Sequence, residues 1–248
     1  MKYFLILLLF FFTLNAENNR QKLTIGLGSY IQTQPYKNVS PIFTPSPVIF
    51  FDNSLFYIRW SRFGIYFLGN KEKEYAWGFS LTAQPRTYGY KASDSTTLKG
   101  MDERKTSFEG GLAFSASYHK KYIESMLLTD IVGRYETWIV KTEIGCEYHL
   151  NKFSFYPSFI IIYQSQHFLN YYYGVKKSEE TLGRPAYRPN GGVLFGTQSY
   201  ISYPLTKRLS TLLNIRADLI PQTAYNSPIV NKKFIYSGLL SLIYKFEY

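Results

Sequence analysis

Residues 237–248 read SGLLSLIYKFEY. Leu240, Leu242, Tyr244, Phe246 and Tyr248 share one parity, and Ser241, Lys245 and Glu247 share the other, with Ile243 between them. Successive side chains of a β-strand point to opposite faces, so this stretch predicts a strand with one apolar and one polar face. The pattern recurs upstream. In residues 77–86, Trp77, Phe79, Leu81 and Ala83 alternate with Gly78, Ser80, Thr82, Gln84 and Arg86. In residues 107–118, Phe108, Leu112, Phe114, Ala116 and Tyr118 oppose Ser107, Glu109, Ser115 and Ser117. In residues 137–150, Trp138, Val140, Thr142, Ile144, Cys146, Tyr148 and Leu150 oppose Lys141, Glu143, Glu147 and His149. Residues 209–220 alternate in the same way.

Two architectures accommodate such strands. A soluble sandwich buries the apolar face, whereas a transmembrane barrel turns it to lipid and the polar face to a lumen. These segments run about 10–15 residues, against about 5–6 for ordinary strands. Aromatics fall near their ends, as membrane-interface girdles require. The composition agrees. The chain of 248 residues holds 24 Tyr, 20 Phe and 3 Trp, while its mean hydropathy is only −0.18. Alternating lipid-facing and polar residues give that average. A charged fraction of 18% and an apolar fraction of 46% exclude disorder. A single cysteine, Cys146, excludes an intrachain disulfide.

The N-terminus carries Lys2, an apolar run over residues 3–14 and then Ala16. This reads as a secretory signal peptide over residues 1–16, leaving residues 17–248 as the mature domain. The run is too short to span a bilayer, which takes about 20 residues. The formal charge is +11; removing residues 1–16 takes one Lys and no acid, leaving +10. The terminal stretch resembles the C-terminal strand of bacterial outer-membrane barrels, with Tyr248 where Phe usually stands. Short links near residues 69–74, 119–121, 150–152 and 204–207 fall on the periplasmic side in that reading. Longer ones near 89–105, 129–135, 170–190 and 221–232 fall outside, the asymmetry of these barrels. The fold class is therefore all-β, an antiparallel up-and-down transmembrane barrel. A break near Ser61 and Arg62 gives about 12 strands; without it the alternative is 10.

Several stretches identify a family. They are Pro35-Tyr36-Lys37, PSPVIFFDNSLFYIR (45–59), MDERKTSFEGGLAFSASY (101–118), NYYYGVKKSEE (170–180), PAYRPNGG (185–192) and NSPIV (226–230). In this order and spacing they resemble the MltA-interacting protein MipA/OmpV family of outer-membrane proteins, over nearly the whole mature chain. Cys146 and the Ile-rich residues 159–162 depart from that pattern. The resemblance implies a Gram-negative outer-membrane barrel, no cofactor, and an envelope scaffold linking a lytic transglycosylase with a murein synthase. It also implies, as alternatives, an effect on small-solute or antibiotic uptake, or a surface adhesin.

Read residue by residue, the chain offers no metal spacing and no strong catalytic motif. Ser117/His119 and Ser165/His167 are the Ser-x-His pairs, and His149 stands on the polar parity. The expected class is non-enzymatic. A narrow channel is the second reading, because the lumen parity carries both charge signs in Arg86, Glu109, Lys141, Glu143, Glu147, Arg216, Asp218, Lys245 and Glu247. Bulky Ile160, Ile162, Leu212 and Ile220 on the same parity predict a partly filled lumen. Expected partners are outer-membrane lipid and lipopolysaccharide, whose phosphates suit Lys91, Lys99, Arg104, Lys105, Lys176, Lys177, Arg184, Arg188, Lys232 and Lys233 on the outer loops. Nucleic acid is excluded for an exported chain. The candidate recognition residues are Tyr171, Tyr172, Tyr173 and Gly174, which open the longest outer loop, with Tyr187 and Pro189 closing it. They serve either as a recognition surface or as a packing cluster.

Overall fold

The computed structural model describes residues 22–86 and 89–247. The expected signal segment and Tyr248 lie outside the described residues. The wall is built from β1 (Lys22–Gln32), β2 (Ile42–Asp52), β3 (Phe56–Arg59), β4 (Arg62–Lys71), β5 (Tyr75–Pro85), β6 (Phe108–Tyr118) and β7 (Lys121–Asp130). It continues through β8 (Trp138–Cys146), β9 (Tyr148–Leu150), β10 (Phe153–Gln164), β11 (Gly192–Pro204), β12 (Leu209–Leu219) and β13 (Phe234–Glu247). All pairings are antiparallel, and β1 on β13 with β10 on β11 closes the ring. β8 and β9 both pair with β10 and make one wall strand interrupted at Glu147. Continued across the gap, the register sets Cys146 opposite Pro157 and Glu147 opposite Tyr156, and the proline has no N–H to give the ladder there. The wall therefore has 12 strands, as the break near Ser61 demands. Trp60 makes that turn with φ +59°.

The parities fall as the alternation predicts. Leu27, Leu81, Leu112, Ile144, Ile215 and Leu240 stand outward and exposed. Their neighbours Ser80, Thr82, Glu109, Glu143 and Asn214 are buried in the lumen. Two lumen tyrosines lie over glycines across the ladder, Tyr57 on Gly64 and Tyr122 on Gly145, where any Cβ would meet the ring. The strands are unequal in length: β2 runs over 11 residues from Ile42, and β3 has only four.

The lumen is filled in two layers. Its outer half holds an apolar core in which Met126, Leu128, Ile139, Ile160, Ile162 and Leu194 of the wall meet Leu98, Phe168, Leu169, Tyr172 and Ile229 of the outer loops. Ile160, Ile162 and Ile220 are in this core, and Leu212 joins a smaller cluster nearer β2. The inner half is polar. Glu124 accepts from Arg59 at 2.8 Å and from Arg62 at 2.9 Å, tying the short β3–β4 hairpin to β7. Arg59 also reaches Asp52 and the Tyr66 hydroxyl. Glu143 accepts from Tyr122 and Gln198 and pairs with Lys141. Arg216 pairs with Asp218 on its own strand.

Removing one partner of a buried pair leaves the other charge uncompensated. Glu124→Gln should therefore cost about 3 kcal/mol of stability, read as a lower urea midpoint for the chain refolded in vesicles. An unchanged midpoint would show that the hairpin holds without the carboxylate.

Candidate functional site: the loop cap and its pocket

Long connections gather at one end of the barrel, over residues 33–41, 86–107, 131–137, 165–191 and 220–233. At the other end the turns are 53–55, 72–74, 119–120, 151–152 and 205–208. In outer-membrane barrels the long loops are external. Here they fold inward as a cap. The 165–191 loop opens with helix α1 (Gln166–Tyr173). Ser165 caps it, its hydroxyl accepting the Phe168 N–H at 3.3 Å. The helix buries Phe168, Leu169, Tyr172 and Tyr173 into the lumen core. A second short helix, α2 (Gln222–Tyr225), closes the 220–233 loop.

Aromatic edges knit the cap. Tyr36 from the first loop meets Tyr90 at 4.6 Å and Tyr173 at 6.0 Å between ring centroids. Tyr135 meets Phe168 at 5.0 Å, and Arg86 lies over the Phe168 ring. Glu109 accepts from Arg86, from Gln84 at 3.0 Å and from the Tyr135 hydroxyl at 2.6 Å. Burial pushes the Tyr90, Tyr135 and Tyr172 phenols above their ordinary range.

A second set of bonds ties the 86–107 and 165–191 loops together. Arg104 donates to both oxygens of Glu179 at 2.9 Å and to the Tyr171 carbonyl at 2.7 Å. Glu179 also accepts the backbone N–H groups of Asp102 and Lys176. Arg184 donates to the carbonyls of Thr97, Lys99 and Glu179. Arg104 and Arg184 are only 4% and 5% exposed, so these two expected surface cations serve the cap from within. At the surface, a hydrogen bond from Lys176 holds the Asp102 carboxyl below the usual carboxylate range.

The six expected recognition residues separate. Tyr171 and Gly174 line a cavity of about 360 Å³ with Asp102, Glu103, Arg104, Arg134, Tyr135, Glu136, His167, Asn170, Lys176 and Arg188. Tyr172 and Tyr173 point the other way, into the core. Tyr187 pairs with Val175 and donates its hydroxyl to the Thr223 carbonyl, and Pro189 is buried. Neither is among the cavity's lining.

Among the described residues no three His, Cys, Asp or Glu side chains converge as a metal site. The Ser165 hydroxyl is engaged in capping rather than aimed at His167. The histidine that does meet a serine is His149. Its Nδ1 lies 3.0 Å from Ser154 Oγ, and its Nε2 lies 2.8 Å from Glu147. Glu147 also accepts from Tyr156. This trio sits at the periplasmic mouth, nearly half exposed. The sequence signal for it was a hairpin, since His149 and Ser154 face each other across β9 and β10.

The family described as MltA-interacting protein MipA matches residues 25–246. The chain belongs to this family. The Escherichia coli K12 "Putative outer membrane protein YiaT" is 21% identical over 97% of this chain and 98% of its own length. The "MltA-interacting protein" of the same strain is 25% identical over 91% of this chain and 90% of its own. The "Outer membrane protein Omp26La" of Vibrio anguillarum is 27% identical over 66% of this chain and 63% of its own. A closed β-barrel with an apolar outer face, in a family of outer-membrane proteins, places this chain in the Gram-negative outer membrane.

Glu179→Gln should leave the Arg104 guanidinium without its counter-charge and loosen both loops. Hydrogen exchange of residues 98–107 and 174–190 should accelerate at least tenfold, on the order of 1.4 kcal/mol. The β-ladder amides should keep their protection. Equal exchange in the two proteins would show that the backbone bonds alone hold the cap.

Proposed function

We propose that this chain is a non-enzymatic scaffold of the cell envelope, docking a lytic transglycosylase, and through it a murein synthase, on its periplasmic side. The supporting observation is the periplasmic rim. Lys71, Lys73, Lys120, Lys121, Lys152, Lys207 and Arg208 are all exposed there, opposed by Asp52, Glu72 and Glu74. A basic ring attracts an acidic protein surface and the carboxylates of murein stem peptides, and it speeds encounter. The filled outer half of the lumen supports the same reading, because a wide aqueous pore needs an unobstructed interior. A relative covering nine-tenths of both chains is named for its interaction with MltA. On the outer side, exposed Lys91, Lys99, Lys105, Lys177, Arg188 and Lys232 suit the phosphates of lipopolysaccharide.

The test uses the purified full chain in detergent, immobilised against the purified lytic transglycosylase of the same organism. Binding is expected. Combined Lys120→Glu, Lys121→Glu and Lys207→Glu changes should weaken it about tenfold at low salt, with a smaller difference at high salt. No binding, together with discrete single-channel conductance in planar bilayers, would replace the scaffold with the narrow channel.

A further inference from the structure

The barrel wall is uneven beside β2. One edge of β2 is paired along its length with β1, from Gln32 opposite Ile42 to Leu23 opposite Phe51. The other edge meets β3 only at Phe50, Phe51 and Asp52. One further bond follows, from the Trp60 N–H to the Ile49 carbonyl at 2.8 Å. Then β3 ends, the chain turns at Trp60 and Ser61, and β4 descends between β3 and β5. Among the described residues no strand pairs with the second edge over residues 42–48. At 3.3 Å per residue this leaves a notch about 20 Å long in the wall. Phe43, and Leu27 opposite Pro47, are 69% and 65% exposed on the outward, apolar parity of the wall beside it.

An open edge in hydrocarbon leaves peptide groups unsatisfied. This edge is chemically finished at Pro45 and Pro47. The residues of β2 whose backbone faces β3 are the odd-numbered ones, as the Ile49 carbonyl shows. Two of them are Pro45 and Pro47, which have no N–H to leave bare. Their carbonyls accept from the hydroxyls of the residues before them, Thr44 at 3.2 Å and Ser46 at 3.4 Å. The same prolines prevent an added strand from completing a ladder there, which excludes edge-to-edge pairing with a second copy.

Behind the notch the lumen is apolar. Tyr30, Val48, Leu212 and Leu239 are buried together, with Phe50, Trp60, Tyr200 and Ile243 packed on them. Gln34 continues the lumen-facing parity of β1, is 1% exposed, and has no hydrogen-bond partner for either side-chain atom. The nearby charges of Arg59 and Arg62 are neutralised by Glu124 and Asp52. We propose that the notch is a lateral portal between the outer membrane and the lumen, and that it admits a neutral single-chain amphiphile whose tail lies on the Tyr30–Leu239 cluster and whose hydrogen-bonding head meets the Gln34 amide.

The proposal is tested on the full chain, with Cys146→Ser, in phosphatidylcholine vesicles. A nitroxide is placed at Thr44→Cys, behind the notch, or at Ser115→Cys, on the lumen parity of β6 where both neighbours are fully paired. The label at position 44 should collide with membrane-dissolved oxygen several-fold more often, relative to a water-soluble nickel chelate, than the label at position 115. Equal profiles at the two positions overturn the portal. With 1-dodecanol as probe, wild type should bind about tenfold more tightly than Gln34→Leu, the loss of one buried hydrogen bond. Gln34→Met, closer in volume, replaces the leucine form where that form does not fold. Equal dodecanol affinity in wild type and variant, or dodecyl sulfate binding as tightly as dodecanol, overturns the assigned ligand class.

Discussion

Inside the hydrocarbon of a membrane no water reaches a bare peptide group, so each backbone N–H and C=O has to be met by another part of the chain. That requirement explains why the wall is a ring, with β1 returning to β13 and β10 to β11. It also explains the composition of β2. Where a neighbouring strand is missing, proline removes the donor and a serine or threonine hydroxyl reaches the acceptor. At Pro45 and Pro47 the exposed backbone edge is thus satisfied by side-chain chemistry rather than by a ladder.

A ring held by backbone bonds still has to fill its interior. The outer loops do this from above, carrying α1 and its buried aromatics down onto Met126, Ile139 and Ile160. Below them, ion pairs take over. Glu124 draws both arginines of the β3–β4 hairpin. That hairpin is too short to be secured by its own ladder, so the lumen charges hold it where β7 can reach it. Arg104 and Glu179 do for the loops what Arg59, Arg62 and Glu124 do for the wall.

With the outer half filled, the surfaces left for recognition are at the margins: the acidic and basic pocket over the cap, the basic periplasmic rim, and the notch beside β2. They differ in chemistry. The pocket and rim are wet and charged, whereas the notch is apolar and faces lipid. The proposed scaffold role would use the rim and the proposed portal the notch, so the two proposals do not compete for one site.

The class of fold was legible in the sequence because alternation is a local property. Covalent geometry sends neighbouring side chains to opposite faces, so residues 107–118 or 209–220 reveal both faces without reference to any partner. The count of 12 strands needed only one further cue, the break at Ser61. The destination of Tyr171, Tyr172 and Tyr173 was not legible. A three-residue run on a strand end and the same run on a capped helix read alike until Ser165 and the core below decide which rings turn inward. Nor was the inward use of Arg104 and Arg184, or the meeting of His149 with Ser154 and Glu147. The notch lay furthest from reach. Pro45 and Pro47 are visible as letters, but only the register of β2 against a β3 of four residues shows that they border an edge with no neighbour. The sequence by itself determined the strands and their two faces, through steric rules acting residue by residue. The tertiary structure alone decided the closure, the cap and the opening, because these depend on register between segments far apart in the chain.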